Sequence, residues 1–216
     1  MSARPSRNCG NSPPSTAPSS ANAWRDQRTT TLTIPTPVQV VAGLRSAWLL
    51  AQGKVAGLPL VMLSPEGALR SFWAMAFGAP VFVALRLTDP DALTPTRFAA
   101  EVIGYVLSWT IFPLLSHRFA EASGRAPLWP GFIAAWNWAN LAQYAALVVA
   151  ILLAAVLPPS LGTAARLAAF GYTLWLEWFI ARHALRLDNG RAVALVALDF
   201  VIGLVITMLV TAIGRG

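Results

Sequence analysis

Apolar residues run along this chain in long unbroken stretches separated by short polar ones, at about 71–87, 97–116, 132–157, 163–181 and 192–213. A helix rises about 1.5 Å per residue and the hydrocarbon core of a bilayer is about 30 Å thick, so a span needs about 20 residues. Four of the stretches approach or exceed that length. The first reaches only about 25 Å, so Arg86 must extend its stem to keep its charge in the interface, and Gly78 with Pro80 is expected to kink it. The punctuation fits helices. Ser64-Pro65-Glu66, Asp89-Pro90 and Thr94-Pro95 place a capping side chain before a proline suited to the first helical turn. Pro158-Pro159 stops the third run, and Asp188-Asn189-Gly190 makes a tight connection into the last. No strand-like alternation of period two occurs. The pattern predicts an all-α polytopic membrane bundle of about five transmembrane helices.

Upstream the pattern changes. Over Val38–Val55 the residues Val40, Val41, Leu44, Ala47, Trp48 and Ala51 fall on one arc of a helical wheel, with Gln39, Gly43 and Ser46 opposite. Arg45 near the middle argues against a span, so an interfacial helix lying on the membrane is expected. Residues 1–37 are rich in Ser, Thr and Pro and are expected to be disordered, because they cannot bury enough apolar surface to offset ordering entropy. The expected organisation is a tail at 1–37, an interfacial helix and linker at 38–63, and a transmembrane domain at 64–216.

Composition removes the soluble alternative. Charged residues make up 12% of the 216 and apolar ones 56%, with a mean hydropathy of +0.58, whereas soluble domains carry about 25% charged residues. The partner implied is lipid. A net charge of +7 does not mark a nucleic-acid binder, because the basic residues sit at the ends of apolar runs and form no stripe. With the N-terminus cytoplasmic, twelve basic residues fall inside and four (Arg86, Arg97, Arg166, Arg215) outside. This bias predicts N-inside, C-outside. Trp73, Trp129, Trp136, Trp138, Trp175 and Trp178 fall near the same ends, where amphipathic rings favour the headgroup level. All basic residues but Lys54 are arginine, a composition that suggests a bacterial chain and hence an inner membrane. Cys9 is the sole cysteine, so neither a disulfide framework nor a cysteine metal site can form within one chain.

Three acids, Glu101, Glu177 and Asp199, lie inside apolar runs. A charge in hydrocarbon is costly, so each should face the bundle or water. Glu101, Tyr105 and Ser108 share a face, as do Asp199, Gly203, Thr207 and Thr211, and as do Asn137, Asn140 and Tyr144. Two groupings are expected: a cytoplasmic-side cluster of Glu177, Asp199, Asn137 and Asn140, and an outer ion pair between Glu101 and Arg166. The cluster serves either as a helix-packing network or as a proton or substrate path. Small residues recur every four positions at Gly104 and Ser108, at Ala142, Ala146 and Ala150, and at Gly203 and Thr207. They permit close helix contacts within the bundle, between copies of the chain, or with another membrane protein. His117 and His183 sit at helix ends without ligand spacing. Phosphate-binding loops, H-E-x-x-H and nucleophile elbows are absent from the sequence, so neither a cofactor nor an enzyme is expected.

The order of an N-terminal polar region followed by five spans, with Ser71-Phe72-Trp73 through Pro80 and then Glu101-Val102-Ile103-Gly104-Tyr105, resembles the bacterial relatives of the Yip (Rab/Ypt-interacting-protein-like) membrane proteins and small uncharacterised alphaproteobacterial membrane proteins. The resemblance covers about residues 40–214 and implies a role in membrane organisation. It carries over no functional residue, since the Tyr-Gly-Pro signature of the eukaryotic members has no counterpart here. The expected function is a non-enzymatic membrane-organising or accessory protein, with a small transporter or channel subunit using the intramembrane acids as the alternative.

Overall fold

The computed structural model describes residues 34–61, 63–87 and 94–214. Seven α-helices account for most of them: α1 (Pro37–Ala51), α2 (Pro65–Ser71), α3 (Trp73–Leu87), α4 (Pro95–Ala122), α5 (Trp129–Val156), α6 (Pro159–Ala184) and α7 (Asn189–Gly214). No strand occurs among the described residues. The tail expected at 1–37 lies almost wholly outside them. Its last two residues are instead the start of α1, where the Thr36 hydroxyl accepts from the Gln39 amide and the Gln39 side chain accepts from the Thr36 amide. This reciprocal cap satisfies two donors that a helix start would otherwise leave orphaned.

Among the described residues, four helical stretches are long and apolar enough to cross a membrane: Pro65–Leu87, Pro95–Ala122, Ala126–Val156 and Asn189–Gly214. The stretch expected at 163–181 forms α6 but is not among them. Its 26 residues suffice in length, whereas Arg166, Glu177 and Arg182 lower its apolarity. The first stretch is also longer than expected, because α2 continues into α3 through one tight turn at Phe72. Helix α3 itself runs without a break through Gly78 and Pro80.

The bundle is built around α5. Gly131 through Ala139 are all buried, so this third of the helix is covered on every side by α1, α2, α4 and α6. Farther along, Val149, Leu152, Leu153 and Val156 face outward. Helix α6 runs back along α5: Gly162 meets the Ala154 backbone at one end, and Gly131 and His183 line one hollow at the other. Helix α7 closes the bundle against α4 and α6. Its outer face exposes Val193, Val201, Leu204, Val205, Met208 and Leu209, an apolar belt larger than water-soluble surfaces carry.

Helix α1 turns its small residues to the bundle. It buries Gly43, Ser46, Ala47 and Leu50 and exposes Val38, Val41, Leu44 and Trp48, the last 68% open. Small residues let α1 approach the Trp138 indole on α5, which fixes the inward face. The apolar arc is thereby left outward, where an interfacial helix needs it. Two tryptophans depart from the anchoring role: Trp136 and Trp138 are buried in the bundle.

Candidate functional site

Helix α7 sets the geometry of the site. Gly203, Thr207 and Thr211 of its stripe line a hollow with Glu101, Gly104, Tyr105 and Ser108 of α4, while Asp199, one turn earlier, turns to α6. Gly104 is the pivot of this contact, since a Cβ there would lie 2.7 Å from Val210 Cγ2. Gly203 has the opposite role. A Cβ there would meet nothing within 4 Å, so its missing side chain leaves open space. The space is a cavity of about 270 Å³ between α3, α4, α5 and α7.

Glu101 marks one end of the cavity, seven residues into α4. Its carboxylate lies 3.4 Å from Arg86 Nε on α3, with side chains 12% and 40% exposed respectively. The expected partner, Arg166, is elsewhere: it lines a second hollow of about 290 Å³ with Asn140, Gln143, Phe170 and Thr173. Antiparallel packing of α3 on α4 brings Arg86 to Glu101, and no spacing within one helix reveals that. Arg86 also lies over the Phe82 ring, 5.4 Å from its centroid, which adds a cation–π contact.

The cavity walls are hydroxylated. Tyr105 donates to the Met75 carbonyl at 2.6 Å, Ser108 to that of Tyr105 at 2.7 Å, Thr207 to that of Gly203 at 2.8 Å and Thr211 to that of Thr207 at 2.8 Å. Each hydroxyl hydrogen is therefore committed to a backbone carbonyl. The oxygens keep lone pairs free. Tyr144 on α5 packs beside Tyr105 and Trp109 and forms a wall common to both hollows.

One turn beyond Gly203, Asp199 meets Glu177 of α6, carboxyl against carboxyl, with the Gln143 and Trp136 side chains also on Glu177. Trp136 Nε1 and Gln143 Nε2 are buried donors without an acceptor in good geometry, and the Glu177 carboxyl is the acceptor beside both. Asp199 is ten residues into α7, about 15 Å along the axis. Glu177 is seven residues from the end of α6, so the pair sits two to three turns from the α6–α7 connection, within the few turns the sequence suggests. Below it, toward the α6–α7 connection, the fully buried Ile133, Leu176, Ile180 and Leu195 fill the core.

The expected four-residue cluster divides. Glu177 and Asp199 come together, and the structure adds Gln143 and Trp136. Asn137, fully buried, turns away to donate 2.7 Å to Ser71 Oγ on α2. Asn140 donates 3.2 Å to the Trp136 carbonyl. Among the expected packing residues, Ala142, Ala146 and Ala150 lie on the helix that α6 follows, with Ala150 buried, and Gly104 fits under α7. Ser108, Gly203 and Thr207 line the cavity and leave the close approach of the helices to Gly104. His117 stands edge-on to Trp129 and 3.8 Å from Glu121, and His183 Nδ1 lies 2.8 Å from the Phe179 carbonyl oxygen.

No protein-family model, curated protein or solved structure matches the chain.

Proposed function

We propose that this chain is a small transporter or channel subunit that passes protons or small cations by way of Glu177 and Asp199. The observation that carries the reading is the contact between these two carboxyl groups within apolar helices, Glu177 two turns from the end of α6 and Asp199 under three turns from the start of α7. Two unit charges about 4 Å apart repel by about 4 kcal/mol at an effective dielectric of 20. Such a pair is tolerated only with a proton or cation between its members. Intramembrane carboxylates are costly and recur in proton and ion paths. The cavity ending one turn from Asp199 supplies a route to one side, while the apolar core around Ile180 and Leu195 closes the other. A structure open to one side at a time is what carriage requires.

The protein is placed in a bacterial inner membrane with its N-terminus cytoplasmic and its C-terminus periplasmic, on the arginine bias of the loops. Helix α6 then makes the fifth crossing because it lies antiparallel along α5 for most of its length. The other reading, a membrane-organising protein of the Yip-like kind, draws on the outward apolar face of α1.

Reconstituted vesicles separate the two. With a potassium diffusion potential and an internal pH dye, Asp199→Asn and Glu177→Gln are expected to cut proton flux at least tenfold while insertion and elution profile stay unchanged. Repetition with sodium or ammonium gradients identifies the conducted ion. Wild-type vesicles that leak no faster than protein-free ones with every ion would overturn conduction and favour the organising role.

A further inference from the structure

We propose that the cavity between α3, α4, α5 and α7 is a vestibule selective for small monovalent cations, with Glu101 at its mouth and hydroxyl oxygens as its wall. The inference rests on the conduction reading only for what happens beyond Asp199.

The chemistry follows from where the hydrogens point. Ser108, Thr207 and Thr211 spend their donors on carbonyls of their own helices, and Tyr105 on Met75 of α3. These four groups therefore offer lone pairs to an occupant, which suit a cation or an N–H donor, while Tyr144 lines the same cavity with a further hydroxyl. The mouth already holds a cation. Arg86 reaches from α3 onto the Glu101 carboxylate at 3.4 Å and lies over Phe82, so carboxylate and ring face form a seat fitted to positive charge. Arg86 is the flexible, more exposed member of the pair and is tethered near the end of α3. A cation arriving from that side competes with it for Glu101. The open space over Gly203 then leads to within one turn of Asp199. About 270 Å³ accommodates several waters at about 30 Å³ each, enough for a hydrated alkali ion or a protonated small amine.

Cys9 is the sole cysteine, so a Cys9→Ser background makes the wall addressable by thiol chemistry. In nanodiscs, Thr207→Cys is labelled with two water-soluble methanethiosulfonates of similar size, one bearing trimethylammonium and one sulfonate. The expected result is a cationic-to-anionic rate ratio at least tenfold above that of Ser123→Cys in the α4–α5 connection, the scale of electrostatic focusing in a charged cleft. Met208→Cys, on the lipid-facing side of the same helix, should react with neither reagent. Glu101→Gln should erase the preference, and Arg86→Gln should increase it. If Glu101→Gln fails to fold, competition in the Thr207→Cys protein decides: potassium or ammonium chloride should slow labelling, and equal N-methylglucamine chloride should not. Equal ratios at positions 207 and 123, or no reaction at 207 while 123 reacts, would overturn the vestibule. Selective labelling without ion flux leaves the vestibule standing and removes conduction; flux without selectivity does the reverse.

Discussion

Gly43 lies directly beneath the Trp138 indole, so close that a Cβ would overlap the ring. Glycine is required there by contact and not by backbone angle. Gly43→Val should push α1 off α5 and cost about 1–3 kcal/mol, the usual penalty of overpacking; an unchanged melting midpoint in detergent would contradict the contact. Ser71 makes a similar point with polarity. Its hydroxyl accepts from the fully buried Asn137 and donates to the Ala68 carbonyl at 2.6 Å, linking α2 to α5. Ser71→Ala leaves the Asn137 amide buried without its partner, at a cost of about 1–3 kcal/mol. Ser71→Ala combined with Asn137→Leu should recover part of that loss, and a double variant weaker than the sum of the two would sink the explanation.

At the scale of elements, the α6–α7 connection is held by two local devices. Arg186 adopts φ 53°, a left-handed conformation that costs a side chain about 1–2 kcal/mol, while the Leu187 amide closes back on the Arg182 carbonyl at 3.1 Å. Arg186→Gly is therefore expected to raise the melting midpoint, and Arg186→Val to lower it. Asp188 then caps α7, its Oδ1 accepting from the Arg191 amide at 2.9 Å. That hydrogen bond, with the nearby Arg191 charge, holds the Asp188 carboxyl below the usual aspartate range. Since the folded value is the lower one, the cap's contribution is fully present above the ordinary aspartate value and is lost as pH falls through the depressed one. Amide exchange at Arg191, corrected for its intrinsic pH dependence, should accelerate over that acidic window in wild type and show no such step in Asp188→Asn. Helix α1 carries the third element-scale expectation. For an interfacial helix, a nitroxide at Val41 or Trp48 is expected to be relaxed more by oxygen than by a water-soluble nickel chelate; the reverse accessibility would place the arc in water.

For the whole molecule, topology is the measurable quantity. A reporter fused after Gly216 should act as periplasmic, and one inserted at Ser123 as cytoplasmic. Two reporters on the same side would mean an even number of crossings between positions 123 and 216, and α6 would then lie in the membrane without traversing it. The proposed vestibule opens toward the side that carries Arg86 and Arg97, so the same fusions also state which compartment it samples.

The count of five spans was one more than the four helices that qualify among the described residues, but the all-α class and the order of the long apolar helices could be read directly from the sequence, because length and apolarity against the thickness of hydrocarbon are properties of a segment by itself. So could the shared faces of Glu101 with Tyr105 and of Asp199 with Thr207, which follow from 3.6 residues per turn. Which face meets which was decided only by tertiary packing. Arg86, not Arg166, reaches Glu101 because α3 and α4 lie side by side; Glu177 meets Asp199 while Asn137 turns to Ser71 because the helices around α5 divide its surface among them. The partner of α1 was likewise invisible in its pattern, since a wheel separates apolar from polar but cannot say that Gly43 lies under a tryptophan of α5. A periodic sequence fixes directions relative to its own helix axis, and only contacts among several helices convert those directions into a site.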